Sequence, residues 1–105
     1  MTQATVHYIS MDQMHNFYFT KNPGELAAQM YENGQYEVGP TVDFEHYEDE
    51  YYAEELFDLT NNPMRQGERE VRFGRGRSIS VGDMVEMEGE FYLCRPNGWI
   101  LVEFP

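Results

Sequence analysis

Apolar residues crowd into the C-terminal third of the chain, and their pattern there is that of a sheet. Ser78-Ile79-Ser80-Val81 alternates polar and apolar and reads as a strand leading into a Gly82-Asp83 turn. Met84, Val85 and Met87 make a strand over 84–87, and Glu88-Gly89 is a tight-turn signal. Phe91 to Cys94 are apolar without a break, which suits a strand over 90–95 covered on both faces. Pro96-Asn97-Gly98 turns the chain again, with Asn-Gly placed for residues at positive φ. Trp99 to Phe104 is rich in β-formers and closes a three-strand meander over 84–87, 90–95 and 99–104. The upstream elements are expected to pack on this dense apolar region.

Upstream the period changes. Ala4 to Ile9 is a strand of β-branched and aromatic residues. Met11 to His15 is polar and loop-like, and Phe17-Tyr18-Phe19 suits either a second strand or a plug within a loop. Asn22-Pro23-Gly24-Glu25 carries helix-start chemistry. Asn22 is placed as N-cap, Pro23 at the first helical position and Glu25 to close a capping box. Leu26, Ala27, Met30 and Tyr31 follow at helical spacing, and Asn33-Gly34 offers a left-handed terminator, so a short helix is expected over 23–32. A hairpin turning on Asn33-Gly34, with strands 28–32 and 35–38, competes; the start signals favour the helix. Tyr36 to Phe44 is extended, and Gly39-Pro40 inside it points to an edge position or a bulge.

The main helix is expected over 45–60. Tyr52, Leu56 and Leu59 share one face, widened by Ala53 and Phe57, and Thr60-Asn61-Asn62-Pro63 stops it. Met64 to Gly67 reads as loop, Glu68 to Phe73 as extended, and Gly74-Arg75-Gly76-Arg77 as a flexible basic link. The sum is an α+β domain: an antiparallel or mixed sheet of about four to six strands, with helix 45–60 packed on it and a short helix at 23–32. With 105 residues, one domain spanning 1–105 is expected. It would bury roughly 65% of its extended-chain surface without needing a metal or a disulfide. One cysteine permits no disulfide within the chain.

Charge changes the picture. Nineteen acids against seven bases give a net charge of −12, which repels nucleic acid and anionic membrane at long range. Asp43, Glu45, Glu48, Asp49, Glu50, Glu54, Glu55 and Asp58 occupy one stretch that has no lysine or arginine. Acids early in a helix suit its macrodipole; Glu54, Glu55 and Asp58, near the far end, do not. One reading is a solvated helix face. The other is an acidic, tyrosine-edged surface for a basic partner, in the manner of a mimic of a phosphate backbone. Its candidate protein-binding residues are Tyr47, Glu48, Asp49, Tyr51, Glu54, Glu55 and Asp58. Arg65, Arg69, Arg72, Arg75 and Arg77 form a basic counterpart and are the candidates for nucleic-acid or anion contact, with Phe73 as a stacking platform. The alternative for them is pairing with the acidic helix or lining one solvated strand edge. The glycine spacing is wrong for a phosphate loop. At this net charge direct nucleic-acid binding is not expected.

Other chemistry is sparse. His7, His15, His46 and Cys94 fall at no ligand-like spacing, so no metal and no cofactor are expected. Cys94 inside an apolar strand reads as an inert buried thiol. Ser78 and Ser80 have no base beside them, and Asp83 reads as a turn residue capping nearby backbone donors. No catalytic constellation emerges, so a non-enzymatic role is expected. No run is long and apolar enough for a membrane span, and the first residues do not read as a signal peptide, so a cytoplasmic protein is expected.

Thr60-Asn61-Asn62 followed by Arg77-Ser78-Ile79-Ser80-Val81-Gly82-Asp83 carries a family likeness. The chain resembles the YodL-like domain and related small uncharacterised proteins of bacterial plasmids, phages and integrative elements. The matching positions are Ala53 and Phe57, Thr60 and Asn61, Arg77 to Asp83, Tyr92, and Gly98-Trp99, within residues 36–104. The segment 11–34 departs from the pattern and reads as a private insertion. The resemblance implies context, an accessory gene of a mobile element, and assigns no residue a catalytic role. Together these readings lead to a small acidic accessory protein that binds another protein, with a nucleic-acid-directed module as the alternative.

Overall fold

Five antiparallel strands form one sheet, in the spatial order 36–44, 2–9, 84–87, 90–95 and 98–102. The computed structural model describes residues 2–44 and 49–104. The expected helix start at 45–48, with Tyr47 and Glu48, lies outside the described residues, as do the side chains of Asp49 and Tyr51. Along the chain the elements are β1 (Thr2–Ile9), α1 (Asn16–Phe19), α2 (Pro23–Glu32), β2 (Tyr36–Phe44), α3 (Asp49–Asn61), α4 (Gln66–Arg72), β3 (Met84–Met87), β4 (Glu90–Arg95) and β5 (Gly98–Val102). The fold is α+β, and the choice between antiparallel and mixed resolves to antiparallel.

The sheet is covered on both faces. Ala4, Val6, Val85, Met87 and Cys94 point to the side of α3, where Tyr52, Ala53, Leu56 and Leu59 meet them, all at most 2% exposed. Ile9, Met84, Phe91, Leu93 and Val102 point the other way, against Phe17 of α1 and Ala27, Ala28 and Met30 of α2. The unbroken apolar run of β4 follows from this double cover. α2 is therefore a second covering layer rather than an adjunct to α3.

Gly39-Pro40 makes both of the features expected of it. β2 is an edge strand, and its register on β1 slips so that these two residues oppose Val6 alone. Side chains alternate along a strand, so the extra residue reverses the parity. Tyr36 thereby joins the α2 face, while Val42 and Phe44 join the α3 face.

Helix α2 ends as expected. Gly34 is left-handed at φ 74°, with Gly34 N–H on the Tyr31 carbonyl and Gln35 N–H on the Met30 carbonyl. Its start differs: the Asn22 side chain makes no cap, and the capping box with Glu25 does not form. Thr20 Oγ1 instead accepts the Asn22 N–H at 3.1 Å, and Pro23 at the first position has no N–H to satisfy. The hairpin alternative is excluded, and Phe17-Tyr18-Phe19 is one helical turn that plugs the core with Phe17 alone.

Two expected strands are not strands. Glu68–Phe73 is mostly helix α4, preceded by a 3-10 turn at Pro63–Arg65 where a loop was expected. Its alternating pattern misleads because Val71 faces solvent. Ion pairs of Glu68 with Arg65 (i, i+3) and Arg72 (i, i+4) favour the helix instead. Ser78–Val81 joins no ladder; its backbone is bonded by side chains, as described below. At the C-terminus, Glu103 and Phe104 leave β5, and the Phe104 ring packs on Tyr31 and Phe91.

Leu56, at 0% exposure, sits at the centre of the α3 layer. Leu56→Ala should cost about 2–5 kcal/mol in urea unfolding. A loss below about 0.5 kcal/mol, the scale of a surface substitution, would contradict this helix register.

Candidate functional site

The segment between α4 and β3 is irregular yet densely hydrogen-bonded. Its role follows from a mismatch in the sheet. The β1–β3 ladder ends at His7 opposite Met84, but β1 runs on to Ile9, which is 1% exposed. A buried strand end with unpaired N–H and C=O is costly. Arg77 and Asp83 occupy that place. Asp83 Oδ1 accepts the Ile9 N–H at 2.9 Å, and Arg77 Nη2 donates to the Ile9 carbonyl at 2.7 Å. The two side chains close on each other through paired 2.7 Å bonds, and Asp83 Oδ2 also accepts the Ser80 N–H at 2.8 Å. They substitute for one rung of the ladder.

A second clasp holds the middle of the segment. Thr60 Oγ1 accepts the Ile79 N–H at 3.1 Å while donating to the Leu56 carbonyl, and Asn61 Nδ2 donates to the Ile79 carbonyl at 2.9 Å. The end of α3 thus supplies Ile79 with the pairing a strand would have given, which is why the Ser-Ile-Ser alternation forms no strand. Ser78 Oγ donates to the Thr60 carbonyl. Arg69 bonds the Thr60 carbonyl, Ser78 Oγ and the Gly76 carbonyl. The Thr-Asn pair and the Arg-Ser-x-Ser-Val-Gly-Asp string, far apart in sequence, are two halves of one latch.

The chemistry of this latch is closed. Asp83 is fully buried, and a carboxylate's four acceptor positions are all taken, by two backbone amides and the two guanidinium nitrogens. Burial pushes its carboxyl up from the ordinary value, against the downward pull of Arg77 and of the Ser80 and Ile9 amides. The Arg77 guanidinium lies 4.4 Å over the Tyr8 ring, and burial raises the Tyr8 hydroxyl to about 12. Burial, with the Asp83 and Glu54 carboxylates, pushes the Cys94 thiol to about 12, which agrees with an inert thiol. Gly82 is required twice over: its φ is 96°, and a Cβ there would collide with Phe17. The expected flexible link is likewise engaged, because Gly76 has no room for a Cβ between Tyr8, Pro40 and Phe73.

The candidate binding residues fare unequally. Arg77 and Arg69 are spent inside the latch. Arg65 binds Glu55 at 2.6 Å, Asp58 at 2.8 Å and Glu68 at 2.7 Å, and Arg72 binds Glu68 at 2.9 Å and lies over Phe44. The Arg65 and Arg72 bonds hold the Glu68 carboxyl down at about 2. Only Arg75 of the basic candidates is exposed without an ion pair among the described residues. Of the acidic candidates, Glu55 and Asp58 are engaged by Arg65, and Glu54 is exposed. Of the five arginines, Arg65 and Arg72 therefore reach carboxylates of the acidic helix, while Arg69 and Arg77 serve the latch, and Phe73 is buried rather than a stacking platform.

Sequence reasoning identified Asp83 as a cap but missed Arg77 as its partner. The signal was present: an arginine and an aspartate six residues apart, bracketing small residues and a glycine. It also missed the buried His7, whose Nε2 lies 2.8 Å from Glu86 Oε1 on the neighbouring strand. Among the described residues no cluster of three or more His, Cys, Asp or Glu could hold a metal ion, and no helix is long and apolar enough to cross a membrane. Comparison with protein-family models, curated proteins and solved structures finds no match for this chain.

Removing Asp83 should leave Arg77 unpaired and the Ile9 and Ser80 amides without an acceptor, at a cost of about 3–5 kcal/mol. An ordinary buried ion pair is largely rescued by replacing both partners with apolar residues. Here the Arg77→Leu/Asp83→Leu double variant should stay at least ~2 kcal/mol less stable in urea unfolding, since buried backbone groups remain unsatisfied. Full recovery of stability would contradict the ladder-rung role.

Proposed function

We propose that the chain is a small non-enzymatic accessory protein, of a mobile element as its family likeness implies, that acts by binding a basic protein. The observation that carries this reading is the internal use of the basic side chains. Arg65, Arg69, Arg72 and Arg77 are held by partners within the chain. The charge left to the surroundings is then dominated by carboxylates, at a net −12. Such a surface attracts cationic partners from beyond contact and repels nucleic acid. The same observation weakens the nucleic-acid alternative, four of whose five candidate arginines are occupied and whose stacking ring is buried.

Part of the acidic helix is structural in this reading. Glu55 and Asp58 hold α4 through Arg65, so their neutralisation would confuse loss of fold with loss of binding. Glu54 and, outside the described residues, Glu48 are the carboxylates to change.

A partner captured by affinity from a host lysate should associate with a rate that falls at least roughly tenfold between ~0.05 and ~0.5 M salt. Glu48→Gln/Glu54→Gln should slow that association without changing the unfolding midpoint. A salt-independent rate, unchanged in the variant, would refute the acidic-surface reading, and a gel shift of single-stranded DNA or RNA at ~50 mM salt would favour the alternative.

A further inference from the structure

The two edges of the sheet are treated differently. β2 carries the devices that block pairing with another chain: a bulge, Pro40 within it, and charged Glu37 and Asp43. β5 carries none; its sequence is Gly98-Trp99-Ile100-Leu101-Val102. Cys94 sends its N–H to the Asp83 carbonyl and receives the Gly82 N–H on its own carbonyl, so both groups point to the β3 side. Alternation then turns Leu93 and Arg95 toward their partners Ile100 and Gly98 on β5. It follows that the N–H and C=O groups of Trp99 and Leu101 face away from β4, along the open edge. Leu101 is 47% exposed.

A groove of about 810 Å³ runs beside this edge, between β5 and helix α2. Ala28, Leu101 and Phe104 contribute apolar surface to it. Glu25 and Glu32, two turns apart on α2, line it together with Glu103, against a single Lys21. None of the three carboxylates is ion-paired among the described residues. A strand added to β5 would place alternate side chains in this groove and the others beside Trp99.

We infer that β5 is a strand-addition site for an extended, basic segment of a partner protein, which pairs antiparallel with Trp99 and Leu101 and sets its cationic side chains against Glu25, Glu32 and Glu103. The inference rests on the acidic-surface reading and gives it a place. Charge chooses the occupant: a second copy would bring the same carboxylates, on a chain of net −12, against their own kind. A cationic strand meets them favourably.

The test is titration of the 15N-labelled full chain with a peptide of alternating lysine and valine, about six residues long. Saturable shifts should appear at the amides of Trp99 to Val102 and Glu25 to Glu32. The same peptide with N-methyl groups on its edge-facing amides should bind roughly tenfold more weakly or worse, as should the Leu101→Pro variant, which removes an outward amide while leaving the β4–β5 backbone bonds in place. Glu25→Gln/Glu32→Gln/Glu103→Gln should weaken binding and flatten its salt dependence. Shifts centred on α3, or equal binding of the methylated peptide, would overturn strand addition while leaving the acidic-surface reading standing. Absence of binding by either peptide overturns the site, and the acidic-surface reading falls with it only if captured partners also show salt-independent association. Concentration-dependent shifts at β5 without peptide would make a second copy the occupant and overturn the inference.

Discussion

The structure depends on how one strand end is completed. β1 is an interior strand of the sheet, flanked by β2 and β3, and its ladder partner β3 stops two residues short of its buried end. Something must bond the backbone of Ile9 there, and no strand does. The Arg77–Asp83 pair does it with side chains. It thereby fixes where the segment from α4 to β3 can lie, and with it the turn at Gly82 that starts the meander. The Thr60–Asn61 clasp fixes the other side of that segment to the end of α3. Both helical layers and the sheet meet at this latch: Tyr36 reaches the Gly82 carbonyl from β2, and Tyr8 reaches the Arg77 carbonyl from β1.

Much of this architecture was legible in the chain. The meander was, because each turn is written in glycine and each strand in β-formers. The bulge was, because proline inside an extended run has few places to go. The buried face of α3 was, because Tyr52, Leu56 and Leu59 recur at helical spacing. What was not legible depended on side chains acting as backbone. Ile79 between two serines has the pattern of a strand, and no local rule says that threonine and asparagine eighteen or nineteen residues earlier will bond its peptide groups. Glu68 to Phe73 alternates like a strand because charges chosen for helical ion pairs happen to flank an exposed Val71.

The same geometry separates motif from function. The residues of the Thr-Asn pair and of the Arg-Ser-x-Ser-Val-Gly-Asp string, Thr60, Asn61 and those from Arg77 to Asp83, hold the fold together through their hydrogen bonds. An arginine-rich stretch that looked available for anions is consumed, all but Arg75, by carboxylates and carbonyls, which leaves the outside of the domain acidic. The surface features without an internal purpose lie elsewhere, along β5 and its groove. Sequence reading placed the candidate site on α3 because acids cluster there, but clustering in sequence does not distinguish an acid that holds an arginine from one that is free.

The latch makes a direct claim about two amides outside the sheet ladder and the helices. Native-state hydrogen exchange should find Ser80 N–H and Ile9 N–H exchanging about as slowly as Val85 and Leu93 in the ladder, because opening them requires breaking a buried carboxylate's bonds. Exchange of Ser80 at the rate of the exposed turns would contradict the account, since it would mean that Asp83 does not hold the segment in place.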